Sequence, residues 1–401
     1  MYFVTDWAQR VNFERMRAYR VQRTRDAMAT YGLDAILAFE YANTRYIAGL
    51  RPLWAPNFLL RQAAIITRAS DEVICFVHLD DTPHRRSTMY WMKPENVREF
   101  PTAVVNQEAP AAALEPLATA LRDLGFSGGR IGVDIATVSA LRNLERLLGD
   151  VELVDLGPCM QQVRMVKNED ELELMREASS IVDIAMETAV RSATTGVREC
   201  EVLAEVMRVF YRFGAEIPQC NLIVCTGPNT APMQRFAGDR LIAEGDLVFM
   251  DIGACFNGVF SEATRTIVNG RPNATQRAIY RTVHEIHERT IAALHPGASS
   301  VDVQAAADEP YRRSDYVGYM QKMIIAHGIG VGYAESPFIA PPGSNAAPLT
   351  LEPGMTLAVV PTIIVPDVPG GGGVRLEDIV VVGKDGPQQL TRAPYDARLL
   401  E

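Results

Sequence analysis

Leu247-Val-Phe-Met-Asp-Ile-Gly-Ala-Cys-Phe-Asn-Gly-Val-Phe-Ser-Glu-Ala-Thr-Arg-Thr-Ile-Val268 is the stretch on which the reading of this chain turns. An apolar run from Leu247 to Ile252 reads as a strand and carries a single acid, Asp251. Phe256-Asn-Gly258 reads as a turn, and Ala263–Val268 as a second strand just after Glu262. The two acids are eleven residues apart, by their numbers. That odd offset suits a hairpin that turns both carboxylates to one face, depending on register. Further strand signals lie at Leu222–Cys225, Met355–Pro361 and Glu377–Val382, with one long helical interruption near Gln276–Leu294. Two more polar groups stand in or beside strands: His327 in His-Gly-Ile-Gly330, and Glu377 in Arg375-Leu-Glu-Asp378. Three carboxylates and one imidazole converging on a sheet would make an oxygen-rich site, suited to Mn, Fe or Mg. Taken singly, each acid reads as a surface or paired residue.

The first half of the chain alternates helical and strand patterns, as an α/β layer does. A helix over Phe13–Tyr31 stops at Gly32; the run Ala35–Phe39 is strand-like, and Tyr41-Ala-Asn-Thr44 reads as a turn. Strand-like runs at Ala63–Ile66, Val73–Val77 and Arg130–Val133 are separated by helical stretches at Ala111–Leu124 and Ser139–Leu148. A boundary falls near Leu156-Gly-Pro158 and Val163–Asn168, where Asn168 with Glu171 has the spacing of a capping box. Helices follow, one of them around Glu199–Arg212.

At 401 residues the chain suits two domains of about 100–200 residues each. A hydrophobic content of 48% with 22% charged residues is that of a globular chain. No apolar run approaches the roughly 18 residues of a membrane helix, and Met1 to Asp6 shows no signal-peptide pattern. The expected location is cytoplasmic, without a membrane partner. A net charge of −10 argues against nucleic acid. Arg15, Arg17, Arg20, Arg23 and Arg25 crowd one helix and read as a solvated face paired to acids. The six cysteines lack CxxC spacing and read as reduced thiols, most of them buried. His284 and His287, three apart, read as an exposed polar helix face.

The series Asp251-Ile-Gly-Ala254, Ser261-Glu-Ala-Thr-Arg-Thr266, His327-Gly-Ile-Gly330, Glu352-Pro-Gly-Met355 and Val374-Arg-Leu-Glu-Asp378 resembles the signature series of the creatinase, aminopeptidase P and methionine aminopeptidase family. Asp34-Ala-Ile-Leu37 through Asn43-Thr-Arg-Tyr-Ile-Ala-Gly49 is similar to that family's N-terminal domain. The resemblance implies an α/β N-terminal domain over 1–160 and an α+β pita-bread domain over 161–401, in a homodimer acting on a small-molecule substrate.

Metal-dependent members hold two ions with Asp, Asp, His, Glu and Glu, and use two further histidines. Position by position, the resemblance assigns these ligands to Asp251, Glu262, His327, Val360 and Glu377, and the histidines to Gln234 and Ala334. Valine has no lone pair, so the position shared by His327 and the missing glutamate is weakened, while the other keeps Asp251, Glu262 and Glu377. The expected cofactor is one divalent ion (Mn, Fe or similar) or none. His327, Glu262 and Glu335 are the catalytic candidates; Gln234, Val360, Arg375 and Ala334 are the substrate-binding ones. The implied function is hydrolysis of an amide or guanidine-like C–N bond, as in creatinase or the Xaa-Pro peptidases, with a degenerate metal site. The alternatives are a lyase acting on a small onium-type substrate and a non-catalytic binding scaffold.

Overall fold

A computed structural model describes residues 6–51, 62–100, 110–218, 222–321, 324–341 and 347–401. The chain divides into two compact units, Asn12–Arg164 and Met165–Glu401, the second also taking in Met1–Val11.

In the first unit the helix Phe13–Tyr31 starts on Asn12, whose side chain accepts the Arg15 N–H, and ends at Gly32 in the left-handed region. A residue with a side chain resists that conformation, which is why glycine stands there. Of the five arginines on this helix Arg15 is exposed, as a solvated face would have it, but the other four meet rings and carbonyls. Arg20 is buried over the Tyr46 ring, Arg17 lies over Trp91, and Arg23 and Arg25 donate to the carbonyls of Val163 and Thr67. Long guanidinium stems cover apolar surface and stack on rings, so local charge density misjudges their surroundings. Tyr41-Ala-Asn-Thr44 also differs from expectation. It opens a helix, Tyr41–Ala48, whose last seven residues are all buried, and packing here overrides weak local propensity.

The sheet of this unit runs in the order Val97–Phe100, Val73–His78, Ala63–Thr67, Ala35–Ala38, Gly129–Val133, Val151–Asp155. Ala63–Thr67 is antiparallel to both neighbours, and the remaining pairs are parallel. The helices Ala111–Asp123 and Val138–Leu148 add Leu114, Leu117, Leu121 and Leu144 to its core.

The second unit opens with the helix Glu169–Ser192, capped by the reciprocal Asn168–Glu171 box. Its apolar stripe (Leu174, Met175, Ala178, Val182, Ala185) is buried, and Ser179 Oγ lies 2.9 Å from Ser261 Oγ on the central hairpin. That hairpin joins Leu247–Phe256 to Val259–Val268 in antiparallel register. Asn257 and Gly258 both have positive φ, as a two-residue turn matched to strand twist requires. Five antiparallel strands form a second sheet, in the order Glu335–Ile339, Ala326–Gly328, Thr356–Val359, Asp378–Gly383, Gly386–Gln389. An isolated bridge, Thr264 to Glu377, ties the hairpin to it. Helix Ala274–Ala292 is followed by a second one, Ser300–Arg313, that the sequence reading passed over; Pro310 inside it masks the pattern. Among the described residues no helix is long and apolar enough to cross a membrane. Cys75, Cys159, Cys225 and Cys255 are buried free thiols and Cys200 is half-buried, whereas Cys220 lies outside the described residues.

Candidate active site

Hairpin register sets the site. Asp251 pairs with Thr264 and Gly253 with Glu262, so Asp251, Glu262 and Thr264 share one face, with the two acids on a diagonal. His327 comes from the central part of the second sheet. Its His-Gly-Ile-Gly setting has a steric cause: a Cβ on Gly328 would lie 2.2 Å from the Ser336 carbonyl oxygen, and one on Gly330 would lie 2.6 Å from Glu335 Oε1. Glu377 arrives on the bridge to Thr264.

Glu262, His327 and Glu377 are all buried and each offers a ligand atom within 4.8 Å of the others. His327 Nε2 stands 3.2 Å from Glu262 Oε1, and its Nδ1 is 2.9 Å from the Gly328 carbonyl. Burial works against a charged imidazole here, yet Glu262 and that carbonyl outweigh it and raise the His327 pKa. Glu377 Oε2 accepts from Thr264 Oγ1 at 2.5 Å. Burial, with Glu262 and Asp251 nearby, drives the Glu377 carboxyl well above its ordinary value.

Asp251 stands beside this group, with its Oδ2 2.6 Å from Arg375 Nη1. Burial pushes its carboxyl up to about 6 against the pull of Arg375. Among the described residues its Oδ1 is buried without a hydrogen-bond partner. Arg375 is fixed in turn by Thr362 Oγ1 and Gln321 Oε1, both at 2.8 Å. Sequence reasoning put the surviving metal position on Asp251, Glu262 and Glu377. The group within 4.8 Å is Glu262, His327 and Glu377, all three among the expected ligands, with Asp251 beside it on Arg375.

Two carboxylates and an imidazole fit one divalent ion of the Mn or Fe kind. Val360 is buried and contributes only methyl groups, its backbone N–H donating to the Ile325 carbonyl. Glu335 is buried but committed elsewhere: Lys167 Nζ lies 2.9 Å from its Oε1, and the Gly332 N–H donates to its Oε2. Gln234 is exposed and Ala334 half-buried. His287 corrects the expectation of an exposed helix face. It is fully buried, with Nε2 3.4 Å from Asp378 Oδ2 and its ring against Tyr395, because a buried carboxylate makes room for an imidazole there.

Sequence reasoning missed Thr264, Lys167, Thr362 and Gln321. Thr264 could have been found, since strand alternation puts it on the face of Glu262, two residues away. Lys167, in the short link between the helices Gly157–Met165 and Glu169–Ser192, carried no local signal.

Residues 173–384 match the model of metallopeptidase family M24, and residues 20–166 match the creatinase/prolidase N-terminal domain. An Xaa-Pro dipeptidase of Pyrococcus furiosus is 33% identical over 254 residues, covering 63% of this chain and 71% of that protein. A creatinase of a Bacillus species is 26% identical over 395 residues, covering 94% and 90%. The solved prolidase from Pyrococcus furiosus superposes with a TM-score of 0.75 at 27% identity, over 92% of this chain and 99% of that one. With the family model covering more than half of its 401 residues, this chain belongs to metallopeptidase family M24.

Proposed function

We propose that this protein hydrolyses a C–N bond, amide or guanidine-like, in a small molecule, with a reduced metal site in place of the two-ion cage. The observation that carries the reading is the buried group of Glu262, His327 and Glu377 beside Asp251, whose Oδ1 has no hydrogen-bond partner among the described residues. A buried acceptor left unsatisfied costs free energy, and a substrate N–H would satisfy it. In the ion-free site Glu262 takes the proton from the attacking water while the His327 imidazolium gives its own proton to the departing nitrogen, and Glu262, 3.2 Å from Nε2, then reprotonates the imidazole. Glu335 is tied to Lys167 and holds the turn after His327 instead of moving protons. In the loaded site Glu262, His327 and Glu377 would instead hold a single divalent ion, with the imidazole neutral, and the ion would supply Lewis acidity in place of the imidazolium proton.

A turnover screen of amides, guanidines and onium compounds, run with and without Mn and Fe, tests the reading. Hydrolysis of an amide or guanidine is the expected outcome, with Glu262→Gln and His327→Ala each about 10²–10⁴-fold slower. Elimination from an onium compound would favour a lyase, and turnover unaffected by either substitution would refute the assignment.

A further inference from the structure

Arg265 adjoins Thr264 on the central hairpin but points to the opposite face, away from the acids. It is one of the largest side chains in the protein that is wholly buried. All five of its N–H donors are used. Nη1 donates to the carbonyls of Thr264 (2.9 Å) and Glu377 (2.8 Å). Nη2 donates to Asp378 Oδ1 (2.7 Å) and to the Ala393 carbonyl (2.6 Å), and Nε donates to Ala393 as well (2.9 Å). The Tyr395 ring covers the guanidinium, with its centroid 4.6 Å from Cζ. Asp378 is itself held by the hydroxyls of Thr391 (2.6 Å) and Tyr395 (2.9 Å).

We infer that Arg265 is the positioning residue for Glu377, acting from behind the sheet without touching the site. Its Nη1 grips the two carbonyls of the bridge that joins the hairpin to Glu377, on which Thr264 Oγ1 also reaches Glu377 Oε2. One guanidinium therefore sets both the backbone of Glu377 and the hydroxyl that orients its carboxylate. Lysine cannot replace it. An ammonium keeps the charge facing Asp378 but lacks the planar fork that serves two carbonyls, a carboxylate and a third carbonyl together. The inference rests on the reading of Glu262, His327 and Glu377 as a metal-capable group.

The test is calorimetric titration of the whole protein with Mn²⁺ alone, paired with crystal structures of the variants. Arg265→Lys should weaken Mn²⁺ binding about 10–100-fold, as outer-shell changes do, and its structure should show Glu377 withdrawn from Thr264. Tyr395→Phe removes a hydroxyl from Asp378 but leaves both carbonyl bonds of Arg265; it should lose thermal stability and keep its affinity. If Arg265→Lys fails to fold, Arg265→Gln with Asp378→Asn removes the two charges together and should show the same weakening. Equal losses of affinity in Arg265→Lys and Tyr395→Phe, or a variant structure with the Thr264–Glu377 contact intact, would overturn the inference. If the unaltered protein binds no Mn²⁺, the metal reading fails, and the position of Glu377 in the variant structures still decides the role of Arg265.

Discussion

Methionyl and Xaa-Pro peptides, supplied with Mn, Co or Fe, should be turned over at least about 10²-fold more slowly by this protein than by an authentic peptidase of the family. The reason lies in three positions. By the family resemblance Val360 stands where the two-ion cage has a carboxylate; it is buried and offers only methyl groups, so it can supply no ligand atom. Gln234, which the resemblance places at one family histidine, cannot carry a proton near neutral pH, and Ala334, which it places at the other, has no polar side-chain group. Losing one general acid/base removes about 10²–10⁴-fold in rate, and the missing ligand acts on the same step. Parallel measurement of kcat/KM against the control peptidase decides it. A value within about tenfold, roughly 1.4 kcal/mol in barrier, would mean that other groups have taken over these roles.

Arg375→Met should lower the stability of the protein by about 3–5 kcal/mol, the usual result of removing one partner from a buried pair. Asp251 is then left as an uncompensated buried carboxylate, with its Oδ1 already lacking a partner. Thr362 Oγ1 and Gln321 Oε1 lose their donor too, although their own hydroxyl and amide groups can turn to other partners. For a unit of this size the midpoint of thermal unfolding should fall by on the order of 10 °C. Adding Asp251→Asn removes the stranded charge and should recover much of the loss. Calorimetry of the single and double variants checks both statements. A double variant as unstable as Arg375→Met alone would show that the guanidinium acts through its other contacts.

Much of this was legible in the sequence, and the limit has a physical cause. Asn257-Gly258 between two strand-like runs fixed the hairpin, because both residues tolerate positive φ. Asn168 with Glu171 marked a helix start that depends only on three residues of spacing. The chemistry-bearing residues Asp251, Glu262, His327 and Glu377 stood out through a resemblance carried by short motifs. What the sequence hid were partners chosen by register between distant strands. Thr264 meets Glu377 across 113 residues, Arg375 meets Asp251 across 124, and neither pairing follows from local pattern. His287 was misjudged for the same reason. Its helix has apolar residues enough to face the core without it, and only the arrival of Asp378 behind the sheet gives the imidazole a buried place. The arginines of Phe13–Tyr31 were misjudged because the aromatic rings that receive Arg17 and Arg20 lie elsewhere in the chain.

We propose a family M24 site that has kept one metal-capable group, Glu262, His327 and Glu377, and lost the other. Anomalous diffraction from crystals grown with excess Mn²⁺, with metal per chain measured on the same preparation, tests it most directly. No more than one ion is expected, ligated by Glu262, His327 and Glu377, with a second peak only after Val360→Glu restores a carboxylate. Two fully occupied ions in the unaltered protein, one of them beside Val360, would contradict it.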